Sequence, residues 1–212
     1  MSDTTVLDRP AEGAEDSAKR RQIVEGARAI FLASGFDAAS MMDIAKEAGV
    51  SKGTLYVYFK NKEELFAEIV KLECLNHAEG TFVLDAADHD VEKVLTRIGI
   101  NYLNFMCTLE KAATLRIVIA IADRKPEIGK VFYETGPAQG IGRLEAYLKA
   151  QVDAGVVTIE DCHLAAAQFL GLCQATLFKP VLFNFAPTPS QKQIRHVVDG
   201  AVRVFTAAYC KK

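Results

Sequence analysis

The stretch Ser40–Lys62, SMMDIAKEAGVSKGTLYVYFKNK, leaves a chain the fewest ways to fold, because two helix starts and one helix stop are written into it. Ser40 followed by Asp43 is a capping-box-like start: the hydroxyl can accept the N3 amide, and the carboxylate sits at the positive end of the helix. Met42, Ile44, Ala45 and Ala48 then fall on one apolar face. Gly49 supplies the left-handed residue that ends this helix, Val50 drops between two helices, and Ser51 caps the next. The pattern predicts helix, tight turn, helix, with the helix-turn-helix over residues 40–60.

The second helix, Lys52 to Phe59, turns Leu55 and Phe59 inward, four residues apart. Lys52, Gly53, Thr54, Tyr56 and Tyr58 stand where a core would not want them. In a major groove, Lys52, Thr54 and Tyr56 would meet base edges or their surroundings, and Ser40, Gly53, Tyr58 and Lys62 the sugar-phosphate backbone. Ser51 and Lys60 complete the candidate DNA-binding set. The competing reading makes the tyrosines packing aromatics and the lysines a solvated surface. Charge favours the first: the chain carries a formal −2, yet residues 1–16 hold five acids and one arginine, while 17–62 hold eight bases against four acids. Local charge, more than the total, attracts phosphate.

At this point the chain resembles a known family. Phe31 to Phe66 is similar to the DNA-binding domain of TetR-type transcriptional regulators. The matching blocks are Gly35-Phe36, Asp43-Ile44-Ala45, Ala48 to Ser51, Gly-Thr-Leu-Tyr-x-Tyr-Phe over Gly53 to Phe59, and Lys62-Glu63-x-Leu65. Met41 departs from the pattern, standing where the family often carries Thr or Ser.

Residues 1–16 are acidic and contain Pro10 and Gly13, so they read as a disordered tail. The DNA-binding domain is expected over 17–79: Ser17 caps a first helix with inner stripe Ile23, Ala27, Ile30 and Phe31, and Asn61 caps a fourth helix running to about Glu79. Lys62 in that helix's first turn would help hold a phosphate. Gly80 and the Asp-rich Asp85–Asp90 mark a break, and 85–212 is expected to be a helical effector-binding and dimerisation domain. No run approaches the roughly 18 apolar residues of a membrane helix, and the first residues lack a signal peptide's basic character. A cytoplasmic protein is expected. The five cysteines show no CxxC pair, which argues against zinc and against a disulfide framework.

Downstream the periodicity stays helical. Val94, Ile98, Tyr102 and Phe105 form one stripe; Leu115, Val118, Ile119 and Ala122 form another, ending before Pro126. Gly136-Pro137 should divide the next segment. Glu160 to about Asn184 reads as one helix apolar on two faces, and Ser190 caps a last helix with a wide stripe. Two such helices per chain would make a four-helix interface in a homodimer, with Phe169, Leu172, Thr176, Val198, Val202 and Phe205 as candidate contacts. Leu115 to Asn184 is similar to the AefR-like C-terminal domains of TetR-type regulators, through Arg124–Glu127, Phe132–Pro137, Leu144–Gly155 and Ala165–Leu172. The whole is thus expected to be all-α: a three-helix DNA-binding domain, then a larger helical ligand-binding and dimerisation domain, about nine helices. By family analogy an effector pocket lies between the middle helices. Tyr102, Phe105, Met106, Phe132, Tyr133 and Gln168 are candidates, mixing apolar walls with a few polar handles suited to a small hydrophobic or aromatic effector; core packing explains them as well.

These readings converge on a ligand-responsive homodimeric repressor of a palindromic double-stranded operator, with no cofactor. Two alternatives stand beside it. One is a DNA-binding regulator without a small-molecule input. The other is a helical metalloenzyme built on Glu160-x-x-His163; such sites need a second Glu-x-x-His and further glutamates, which are absent, and no GxSxG, Walker or HExxH motif occurs.

Overall fold

The computed structural model describes residues 12–210, and through them run eleven helices. The chain divides into two compact units, up to Ile69 and from Val70.

The first unit comprises α1 (Glu12–Ala38), α2 (Met41–Glu47), α3 (Lys52–Tyr58) and the beginning of α4 (Lys62–Thr81). Ile23, Ala27 and Phe31 of α1 are buried, as their spacing predicts, whereas Ile30 is only half-buried. Phe31, Phe36 and Phe66 meet with ring centroids 5.0–5.7 Å apart. Helix α1 begins at Glu12 rather than Ser17, so the disordered tail expected for 1–16 fails over its last five residues; the rest of that prediction lies outside the described residues. Acidic residues in a first turn suit the positive helix end, and the same acids had read as a tail. After α2, Gly49 at φ 63° makes the turn. The Val50 amide donates to the Ala45 carbonyl and the Gly49 amide to that of Lys46, a Schellman stop. Gly26 of α1 packs against this turn so closely that a Cβ there would lie 2.7 Å from the Ala48 backbone.

The division between units falls inside α4, not in the Asp85–Asp90 break. The second unit continues through α5 (Val91–Met106), α6 (Leu109–Ala122), α7 (Pro126–Thr135), α8 (Pro137–Asp153), α9 (Cys162–Gln174), α10 (Phe178–Leu182) and α11 (Gln191–Tyr209). Asp90, Thr108, Asp161 and Ser190 each cap a helix with the side chain. The predicted division at Gly136-Pro137 separates α7 from α8. The single helix expected over Glu160–Asn184 is instead two. Continued through Pro180 it would lose an amide and set the ring against the Thr176 carbonyl, so the chain turns between Gln174 and Phe178.

The Asp-rich connection is held by α8. Gln151, fully buried, donates its amide to the Ala86 carbonyl at 2.9 Å and pairs with His89 Nδ1 at 2.7 Å, while Tyr147 Oη donates to the Asp88 carbonyl at 2.8 Å. The link after Gly155 returns along the end of α11, where the Thr158 amide donates to the Tyr209 carbonyl. Among the described residues no helix is long and apolar enough to cross a membrane.

Candidate nucleic-acid interface and ligand cavity

Helix α3 is anchored from below and open above. Leu55 and Phe59 are buried, whereas Lys52, Gly53, Tyr56 and Val57 are exposed, Tyr56 at 44% and Val57 at 81%. Ser51 Oγ accepts the Thr54 amide at 3.0 Å and lies 2.8 Å from Thr54 Oγ1, so these two hydroxyls mark the helix start. Lys52 Nζ sits 5.9 Å from the Tyr56 ring centroid, a cation over an aromatic face. The arrangement presents a charge, two hydroxyls, a phenol and one apolar side chain on one outward surface. Val57 escaped the sequence reading. Its signal was its position two residues from the buried Leu55, on the opposite side of the helix.

Three predicted backbone contacts are already engaged. Lys62 Nζ donates to the carbonyls of Phe36, Asp37 and Ala39 at 2.8, 3.1 and 3.2 Å, which uses all three ammonium hydrogens. It ties down the segment that joins α1 to α2, with no ammonium hydrogen left over for a phosphate in this structure. Ser40 Oγ accepts the Asp43 amide and donates its one hydrogen to Asp43 Oδ2 at 2.5 Å, so it caps α2 and has no proton for a phosphate. Tyr58 Oη donates to Asp16 Oδ1 at 2.8 Å, and that hydrogen bond to the carboxylate raises its pKa. Lys60 is exposed. Arg20 of α1 is held by Glu68 at 3.1 Å, and its guanidinium covers the Phe59 ring at 4.6 Å.

In the second unit, α4 to α10 enclose a cavity of about 340 Å³. Tyr102, Phe105, Met106 and Phe132 line it, as predicted candidates. Tyr133 and Gln168 do not: Tyr133 is 58% exposed, and Gln168 Oε1 accepts from Tyr209 Oη at 2.8 Å on the outer side of α9. Phe82, Phe178, Leu170 and Cys74 add apolar wall, and Gln174 adds a polar group; Cys74 and Gln174 were missed by the sequence reading. Gln174 could have been found as the polar residue one turn beyond Leu170 on an otherwise apolar helix. Its amide donates to Tyr102 Oη, and burial pushes the Tyr102 hydroxyl up to about 12, so the phenol stays neutral. Burial likewise raises the Cys74 thiol, and pushes Cys107 and Cys173 to about 11 and about 12. Thiols in such surroundings pack as small hydrophobes. His163 pairs with Glu145 at 2.8 Å, not with Glu160, and among the described residues no group of metal-ligating side chains assembles.

Residues 23–69 match the family model for bacterial regulatory proteins of the TetR family, and residues 93–211 match that for the C-terminal domain of AefR-like transcriptional repressors. The chain belongs to the TetR family of transcriptional regulators. Such proteins are not enzymes. Among its TetR-family relatives are the regulator YhgD of Bacillus subtilis, 29% identical over 76% of this chain and 83% of its own length, and AcrR of Shigella flexneri, 29% identical over 78% and 81%. A TetR-family regulator from Mesorhizobium loti superposes with a TM-score of 0.87 at 26% identity, covering 95% of this chain and all of that one. The flavonoid-responsive regulator FrrA superposes at 0.80 with 30% identity, covering 92% and 99%.

TetR-family regulators bind operator DNA and form homodimers. Of the residues predicted for that contact, Phe169, Val198, Val202 and Phe205 are buried within the chain itself; Leu172 is half-buried and Thr176 exposed. Phe169 and Phe205 pack edge to face at 5.8 Å. The apolar stripe that looked available for a partner is the one α9 and α11 turn toward each other. Their exposed apolar residues are Leu164 on α9 and Val204 on α11 instead.

Proposed function

We propose that this TetR-family chain is a ligand-responsive, homodimeric repressor of a palindromic operator. The observation that carries the reading is the coexistence, in one chain, of an exposed α3 and an apolar cavity in the second unit. In a dimer, two copies of α3 would enter successive major grooves about 34 Å apart. Lys52, Thr54 and Tyr56 would meet base edges, Val57 a thymine methyl, and Ser51, Gly53 and Lys60 the backbone. Tyr58 would join them on leaving Asp16. The exposed Leu164 of α9 and Val204 of α11 would face a second copy.

The cavity would hold a small, mainly apolar effector. Helix α4 carries Phe66 of the first unit's core and Cys74 of the cavity wall, so ligand that shifts this helix would change how the readers present themselves. Coupling of roughly 1–3 kcal/mol suffices for regulation. The test is selection of bound genomic fragments by the full chain, followed by affinity measurements across a salt series. A palindromic site whose affinity falls steeply with salt is expected. A protein indifferent to duplex DNA, or one binding as a single copy, would overturn the reading.

A further inference from the structure

We propose that Tyr102 and Gln174 form the recognition pair for a neutral aromatic ligand carrying a carbonyl-type hydrogen-bond acceptor. This deepens the effector reading above and rests on it.

The walls come first. Phe82, Phe105, Phe132 and Phe178 put aromatic rings around the space, and among the described residues no charged one lines it. Rings prefer offset or edge contacts with other rings, so a flat aromatic body gains more here than a flexible chain of equal area. The ammonium of Lys111 is no counter-charge for an anionic ligand: it is held by Glu73 at 2.7 Å and lies 5.1 Å over the Phe105 ring. An ionised ligand would give up its hydration for a few neutral donors and no opposite charge among the described lining residues.

The polar pair then sets the functional group. Between them, the Tyr102 hydroxyl and the Gln174 amide carry three hydrogens, and their mutual bond uses one. Whichever way the amide is turned, the pair retains donors. The phenol also stays protonated at any ordinary pH. An apolar ligand would leave those hydrogens in a dry site without an acceptor, which is unfavourable; a carbonyl oxygen relieves it. A volume of about 340 Å³ is at the small end for ligand sites, which fits two or three fused or linked rings.

The test uses fluorenone and fluorene, flat aromatics of nearly equal shape that differ in the carbonyl, titrated calorimetrically into the whole chain. Fluorenone should bind roughly tenfold more tightly, the worth of one buried hydrogen bond. Tyr102→Phe should remove most of that preference. The double variant Tyr102→Phe/Gln174→Leu, apolar at both positions, should still bind fluorene and show no preference at all. Continued fluorene binding shows that the cavity has kept its shape. Equal binding of both compounds to the wild type, a preference that survives in the double variant, or tighter binding of a fluorenone carboxylate than of fluorenone would each overturn the proposal. None of those outcomes touches operator recognition or the existence of an effector, which are read separately from DNA binding.

Discussion

The ammonium of Lys62 shows how completely a residue's role depends on what lies within 3 Å of it. A lysine in the first turn of a helix, next to a DNA reader, has the charge and place for a phosphate contact. Three carbonyls of the segment between the break at Gly35 and the start of α2 take its hydrogens instead, each partial negative charge facing the ammonium. Lys62→Met should therefore lower stability by about 1–3 kcal/mol, measured by chemical denaturation, as carbonyls lose their donors. The salt dependence of operator binding should keep its slope; a loss of about one unit would return Lys62 to the phosphate set. Gly26 is the second such residue. Its neighbour across the gap is the Ala48 backbone, which cannot swing aside like a side chain, so Gly26→Ala should destabilise by about 1–3 kcal/mol and lower the melting temperature. Nothing local to Gly26 announces this contact, since Ala48 is far along the chain.

Among elements, α2 and α3 were legible because their limits are local. Ser40, Gly49 and Ser51 act on amides and carbonyls within a few residues, and each boundary appears where its capping chemistry puts it. Ser51→Ala should cost about 1 kcal/mol, read by thermal denaturation, and should weaken operator affinity because the same cap orders the helix start. Longer elements were less legible. The Glu160–Asn184 run is apolar enough to read as one helix, and Pro180 outweighed that periodicity. The α6 stripe was misplaced in part: Val118 is buried, but Ile119 is 59% exposed. In α9 and α11, an apolar stripe marks a face that must be covered and is silent on whether another helix of the same chain or a second chain covers it.

For the whole molecule, burial of polar groups leaves a mark in pH dependence. Of the six tyrosines, Tyr102 and Tyr147 are pushed by burial to about 12, against an ordinary value near 10. Their stabilising contribution is fully present below pH about 10 and is lost as pH rises toward about 12. Stability should fall across that window, and Tyr102→Phe should make the fall shallower, with the comparison between the two proteins separating Tyr102 from Cys107 and Cys173. Phenolate absorbance should show Tyr102 and Tyr147 ionising late, together with Tyr58, whose hydroxyl the Asp16 carboxylate also raises. The helix-turn-helix, the all-helical character and most of the apolar wall of the cavity follow from spacing and capping, because those signals act over a turn or two of chain. Which polar groups stay free was decided only on folding. Lys62 meets carbonyls 23–26 residues away, and Tyr102 meets Gln174 across 72. Whether a donor is available depends on which acceptor the fold brings beside it, and no local pattern carries that information.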